Sequence, residues 1–264
     1  MDGEGSEAVL LRRSGAVVEL VLNRPEHLNA IDEEVASGLR DGLELVGNDP
    51  DCRCLVLTGS GRGFCSGQAL AAIGGQGLPQ DVAQLVRDRY IPLVTQIRGL
   101  PLPVIAAVNG VAAGAGLSLA LAADLRVASD AAWFSCGFSR IGLVPDAGAS
   151  FFLPRYVGLA KALELALTGR RMEAVEAASL GLVAHVYPAQ TFARDYAELA
   201  QGFAAGPTRA FALTKKAFGQ AMEVSLAEQL ELEARLQQEA SETEDFREGV
   251  SSFREKRPPR FAGH

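Results

Sequence analysis

At 264 residues the chain is long enough to bury a sizeable core, and its length suits one domain with an appended subdomain. Its 25 Lys and Arg are outnumbered by 32 Asp and Glu, a formal net charge of −7, which argues against nucleic acid as a partner because phosphate binding needs clustered cations. Four cysteines (Cys52, Cys54, Cys65 and Cys136) form no C-x-x-C pair and, with three histidines, no metal-ligand constellation, so buried, reduced thiols are expected.

The acidic, polar residues 1–7 carry neither the charged start nor the apolar stretch of a secretory leader, and they read as a loose tail. No apolar run reaches the roughly 18–20 residues of a membrane span, so a cytoplasmic protein with no membrane partner is expected. Residues 16–22 are almost wholly apolar and β-rich, consistent with a strand covered on both faces. The loop at 23–30 is kept out of a helix by Pro25. Asp32-Glu-Glu then opens an amphipathic helix to about Val46, with its acids at the positive end of the helix dipole. A strand at 55–58 follows. Val82, Leu85, Val86, Tyr90, Leu93, Val94 and Ile97 recur at helical spacing over 81–98, and Gly99-Leu-Pro-Leu-Pro stops that helix.

The apolar run 104–108 reads as a buried strand, and 117–123 as a helix with so little polar content that it must be buried. Asp124 reads as a structural cap before a strand at 125–128. Further on, helices are expected at 159–168 and 173–179, with a strand at 182–186 in which His185 would be a satisfied core side chain. Helices at 191–204, 208–222, 225–240 and 242–254 complete the chain. Their apolar residues fall on more than one face, which implies packing against another subunit.

Between the strand 104–108 and the buried helix lies Asn109-Gly-Val-Ala-Ala-Gly-Ala-Gly116, and after the strand 55–58 lies Gly59-Ser-Gly-Arg-Gly-Phe-Cys-Ser-Gly-Gln68. Glycines let the backbone approach a ligand with no Cβ in the way. The first N–H groups of a helix have no partner within it and carry the positive end of the dipole, so such a turn makes an anion site out of main chain. Gly-rich turns are also ordinary punctuation in α/β chains, and neither stretch fits a G-x-G-x-x-G or G-K-[ST] phosphate motif. Two of them together can aim two donors at one oxygen, which is an oxyanion hole.

These two stretches, with Asn23-Arg-Pro-Glu-His-Leu-Asn-Ala-Ile31 and Ile141-Gly-Leu-Val-Pro-Asp-Ala-Gly148, resemble the enoyl-CoA hydratase/isomerase (crotonase) superfamily in order and spacing, over about residues 9–261. Within it, Gly-Arg-Gly-Phe-Cys-Ser-Gly-Gln, Phe-Ser-Arg-Ile-Gly-Leu-Val-Pro-Asp and Phe246-Arg-Glu-Gly-Val-Ser-Ser-Phe253 are most similar to the ring-1,2-epoxyphenylacetyl-CoA isomerases of bacterial phenylacetate breakdown. The resemblance implies an α/β fold, a crotonase-like spiral of β-β-α units over 1–200, and a C-terminal helical subdomain over 201–264 that assembles trimers or dimers of trimers. It places the oxyanion donors on the N–H groups of Gln68 and Ala115. The CoA rim falls on Arg24, Glu26, His27, Leu28, Ser66, Gln68 and Leu70, with Phe253 and Lys256 reaching a neighbouring subunit's CoA. His27 is read as a rim side chain rather than a base, and residues 71–80 as the outer wall of the pocket. Relatives often have an acid where Ala69 stands, which points to altered loop packing. No metal or cofactor is implied, with CoA entering only as part of the substrate.

Hydratases of the superfamily hold two glutamates over the acyl chain, and these fall on Ser118 and Phe138. Adding water needs one group to activate it and a proton donor for the α-carbon. Serine and phenylalanine supply neither, so both positions, with Phe134, are read as acyl pocket. Shifting a double bond needs one acid–base group, and the resemblance puts it on Asp146. Phe134, Phe138 and Phe151 or Phe152 would keep that carboxylate dry and raise its pKa. The generic reading of Pro-Asp-Ala-Gly is a turn whose aspartate caps the next helix, near Ser150. The sequence thus points to a CoA-thioester isomerase. A divergent hydratase using Asp146 alone and a non-catalytic acyl-CoA-binding protein stand as alternatives.

Overall fold

Strand β2 (Val17–Leu22) is buried along nearly its whole length, and it is flanked on one side by β1 (Val9–Ser14), antiparallel, with Val9 opposite Leu22 and Ser14 opposite Val17. The computed structural model describes residues 8–69 and 81–264. Leu70 and the expected pocket wall 71–80 lie outside the described residues. The sequence reading did not foresee β1. Its exposed Arg12 and Arg13 carry the charge that protects an edge strand, and they mask the alternation.

From β2 the chain builds a spiral. Each turn lays one strand in a first sheet and the next in a second. Strands β3 (Cys54–Gly59), β5 (Val104–Val108) and β7 (Leu125–Ser129) run parallel beside β2, and β10 (His185–Tyr187) closes the sheet as β1-β2-β3-β5-β7-β10. Strands β4 (Gly63–Cys65), β6 (Val111–Ala113) and β8 (Trp133–Ser135) follow in step, also parallel, with β9 (Met172–Glu173) antiparallel at the edge. The repeated β-β-α unit expected from the resemblance is therefore the architecture found.

Helix α1 (Glu33–Gly47) starts where its acids predict: the Asp32 carboxylate accepts the Val35 N–H at 2.9 Å. The helix expected over 81–98 is three pieces, α2 (Val82–Leu85), a π-turn at Val86–Tyr90, and α3 (Ile91–Gly99). Helix α4 (Ala115–Ala122) is buried at every residue. Its leucines contribute about 1.5–3 kcal/mol each by leaving water. Helix α5 (Ala149–Val157) starts next to the expected Ser150, and α6 (Leu159–Thr168) and α7 (Ala174–Ser179) lie close to their expected bounds.

Helix α8 (Phe192–Ala204) packs Phe192, Tyr196, Ala200 and Ala204 on the far face of the large sheet, against Val17, Val56, Ile105 and Val127. Helices α9 (Thr208–Gln220), α10 (Leu226–Ser241) and α11 (Glu244–Glu255) form a helical end with their own small core of Leu213, Leu232 and Leu236. The buried Asp245 carboxylate holds the final residues against it, accepting from the N–H of Ala262 at 2.6 Å and Gly263 at 2.9 Å. His185 corrects an expectation: it is exposed, its ring stacked on Tyr187, because β10 is an edge strand and not an interior one. Asp124 is structural as expected, accepting from Val104 N at 2.9 Å and pairing with Lys215 at 2.7 Å.

Candidate active site

The two glycine turns meet where β4 and β6 end and α4 begins. Gly116, in the first turn of α4, sits so close to the end of β4 that a Cβ there would lie 2.2 Å from the Cys65 carbonyl oxygen. Gly67 adopts φ +97°, and its Cβ direction comes within 3.3 Å of the Ala115 nitrogen. Glycine at these two places lets the donors of both turns approach each other.

Hydrogen bonding shows which way each donor faces. Ile31 pairs with Gln68 in a parallel bridge, through Ile31 N to Gly67 O at 2.7 Å and Ala69 N to Ile31 O at 2.9 Å. In a parallel pairing the bridged residue's own N–H points to the opposite side, so the Gln68 N–H faces away from Ile31. Ala115 is the first residue of α4, and its N–H has no intrahelical acceptor. Among the described residues neither N–H has a hydrogen-bond partner. Asn29 and Asn109 hold the first turn in shape. Fully buried, Asn29 accepts from Arg24 N at 2.8 Å and donates to Gly63 O at 2.7 Å, while Asn109 donates to Gly61 O at 3.0 Å.

Asp146 lies in the loop before α5. It does not cap that helix: Gly148, at φ +86°, is the residue before Ala149, and what Asp146 gives Ala149 N is its main-chain oxygen, at 2.9 Å. One carboxylate oxygen, Oδ1, is buried with no hydrogen-bond partner among the described residues. Burial alone pushes this carboxyl up to about 6 from an ordinary 3.8.

Ser118 ties the main chain of Asp146 to the glycine turn before α4. It is fully buried, and its hydroxyl lies 3.0 Å from Asp146 O and 3.3 Å from Gly114 O. Expected as acyl pocket, it acts as a strut between two main-chain carbonyls. Phe134, Phe138 and Phe152 are buried in one cluster with Tyr90, Cys65, Cys136 and Ala147, and Phe151 is the outward one, with Arg155 stacked on its ring. Burial holds the Cys65 thiol up at about 12, and burial with the nearby Asp146 carboxylate holds Cys136 at about 11. Both stay protonated and are poor nucleophiles.

Two residues escaped the sequence reading. The Tyr90 hydroxyl donates to Gln68 Oε1 at 2.6 Å, and Arg89 Nη1 donates to the same oxygen at 3.0 Å. Burial first, then charged neighbours that include Asp146, keeps the Tyr90 hydroxyl above its usual range. The hydrogen bond sets Tyr90 against Gln68, and Asp146 is close enough to help raise its hydroxyl.

The rim residues gather on one side. The Ser66 hydroxyl donates to His27 O at 3.2 Å and Ser66 N to Leu28 O at 3.0 Å, while Arg24 pairs with Glu34, and Glu26 and His27 are exposed. Phe253 and Lys256 are not brought to this site. Phe253 is 85% exposed on α11, in an apolar groove with Phe246, Val250 and Phe261, and Lys256 ends that helix. Among the described residues no group of three His, Cys, Asp or Glu side chains is placed to hold a metal, and no helix is long and apolar enough to cross a membrane.

The family model for enoyl-CoA hydratase/isomerase matches residues 12–264. A Rhodobacter capsulatus protein named "Probable enoyl-CoA hydratase" is 46% identical over 250 residues, 95% of this chain and 96% of that one. The 1,2-epoxyphenylacetyl-CoA isomerase of Escherichia coli is 42% identical over 259 residues, covering 97% and 99%. The crystal structure of enoyl-CoA hydratase from Bacillus anthracis superimposes with a TM-score of 0.92 at 32% identity, over 97% of this chain and all of that one.

Proposed function

The chain belongs to the enoyl-CoA hydratase/isomerase family, whose members act on CoA thioesters, and within it we propose an isomerase that uses Asp146 as its single acid–base group. The observation that carries this reading is the half-buried Asp146 carboxyl, its Oδ1 buried with no partner among the described residues and held at about 6, on a residue whose main-chain oxygen Ser118 ties to the turn before α4. Ser118 and Phe138 occupy the two positions where a hydratase would hold glutamates.

The steps follow from the groups present. The thioester carbonyl oxygen accepts the N–H groups of Gln68 and Ala115. Asp146 takes a proton from the carbon next to the carbonyl of a 3-enoyl-CoA. The electron pair moves into a dienolate whose negative oxygen the two N–H groups stabilise, each by a few kcal/mol in a water-poor site. The protonated Asp146 returns the proton two carbons further along, and the double bond ends conjugated with the thioester. Nothing is added or lost, so neither water nor a cofactor enters. A 2-(1,2-epoxy-1,2-dihydrophenyl)acetyl-CoA isomerised to its oxepin is the second substrate class, supported by the Escherichia coli relative's name.

The name of the Rhodobacter capsulatus relative favours a second reading, a hydratase, whose chemistry here would fall on Asp146 alone. A side-by-side assay separates the two. Isomerisation of 3-enoyl-CoA, or of the epoxide, is expected to outrun hydration of 2-enoyl-CoA by about 100-fold or more, the value of one missing acid–base group. Hydration as fast as isomerisation would overturn the isomerase reading, and turnover of none of these would leave a binding protein.

Assembly belongs to the same proposal. Phe218, Met222, Leu226 and Phe253 on or beside α9–α11 are all more than 70% exposed, apolar side chains that a trimer or dimer of trimers would cover. In such an assembly Phe253 and Lys256 reach a neighbouring subunit's CoA. Sedimentation is expected to give three or six chains per particle, and a monomer would exclude it.

A further inference from the structure

The Gln68 side chain has no part in the chemistry above, yet it is held by two donors. Both come from the π-turn at Val86–Tyr90. Consecutive residues do not share a face of a regular helix, and π-turns concentrate at functional sites. Here the turn delivers Arg89 and Tyr90 onto one acceptor, Gln68 Oε1. Arg89, 9% exposed, is fixed in turn by Glu33 Oε2 at 2.8 Å from its Nη2, and hydrogen bonds from Arg89 and then Arg40 hold the Glu33 carboxyl below its usual range.

We infer that Arg89 and Tyr90 are positioning residues that clamp the Gln68 side chain so that its backbone N–H stays aimed at the thioester oxygen. The inference rests on the reading of Gln68 N–H as an oxyanion donor. The physical need lies in Gly67. A glycine at φ +97° lets the following peptide rotate. The bridge to Ile31, through Ile31 N to Gly67 O and Ala69 N to Ile31 O, holds that peptide from one side, and the clamp on the Gln68 side chain holds it from the other. An oxyanion donor stabilises charge only if it is aimed before the charge develops.

The test uses the full-length protein with phenylacetyl-CoA carrying ¹³C at the thioester carbonyl, read by infrared difference spectroscopy. In the wild type the bound carbonyl stretch moves to lower wavenumber. Tyr90→Phe, which removes one hydroxyl, and Gln68→Met, which keeps shape and backbone N–H, each lose a large part of that shift. Both lower kcat about tenfold, well short of the loss of a whole donor, with KM little changed. The double variant is no worse than the poorer single one, because both cut the same link. Asp146→Asn keeps the full shift, so the clamp and the base are read separately: an unshifted carbonyl in the wild type overturns the clamp together with the oxyanion assignment, whereas failure of the isomerase reading leaves the shift in place. Wild-type shifts in both Tyr90→Phe and Gln68→Met, or losses that multiply in the double variant and follow melting temperature, would overturn the clamp alone.

Discussion

Replacing Asp146 by Asn is expected to abolish most of the isomerase activity while raising stability at alkaline pH. The rate loss is about 10²–10⁴-fold, the usual value of a positioned acid–base group. The gain in stability follows from the raised carboxyl. In the unfolded chain Asp146 titrates near 3.8 and in the folded chain near about 6. The folded state therefore holds the proton more tightly, and the stability this brings is complete below about pH 4 and lost as pH rises through about 6. Above that the wild type must keep a charge where a carboxylate oxygen has no partner among the described residues. An amide carries no such charge. After allowance for the solvent that reaches this half-buried group, Asp146→Asn is expected to be about 1–2 kcal/mol more stable at pH 8. The two proteins converge toward pH 4. The same ionisation sets the pH profile of the wild type, whose kcat/KM should rise with pH through about 6. Thermal melts at pH 4 and pH 8, run beside the assay, check both halves. A variant with full activity would mean that another group is the base. One that loses activity without gaining stability at pH 8 would mean that the carboxylate is paired in solution.

Gly116→Ala is expected to cost activity by about 100-fold or more. The new Cβ would stand 2.2 Å from the Cys65 carbonyl oxygen and 2.7 Å from its carbon. Both are backbone atoms, so no side chain can turn aside and α4 must retreat from the end of β4. That retreat carries Ala115 N–H away from Gln68 N–H, and losing one such donor costs about 10²–10³-fold. Overpacking of this kind destabilises by about 1–3 kcal/mol. Gly99→Ala is the control, because nothing lies within 4 Å of a Cβ there, and it should be silent. The informative measurement is deuterium exchange at the α-carbon of a bound thioester, which depends on enolate formation alone. Exchange at the wild-type rate in Gly116→Ala would show that these turns do not form the oxyanion hole.

Several parts of the site could not be read along the chain. Arg89 is the clearest. Its neighbours Val86, Tyr90 and Leu93 fall on an apolar stripe at helical spacing, and Arg89 sits three after Val86 and four before Leu93, on the same face. A charge in that place was a visible signal, but its partners Gln68 and Glu33 lie 21 and 56 residues away. Periodicity says which face is buried and nothing about what meets it. His185 failed for a related reason. Apolar neighbours suggest a core strand, and only the strand order shows β10 to be an edge.

Asp146 shows where the division falls. Element types and the two glycine turns are local properties of composition and spacing, and the sequence determined them; that Ser118 and Phe138 stand where hydratases hold glutamates is what the resemblance implies. A carboxylate three residues before a helix reads equally well as a cap or a base, because both readings place the same residue in the same turn. The tertiary structure removed the first by setting Gly148 at the helix start, and it left Oδ1 buried with no partner among the described residues. The pKa of that carboxylate is a property of surroundings assembled from the π-turn (Tyr90), α4 (Ser118), the turn after β8 (Cys136) and the loop before α5. Desolvation depends on everything packed around a group, and only the closed spiral brings those segments together.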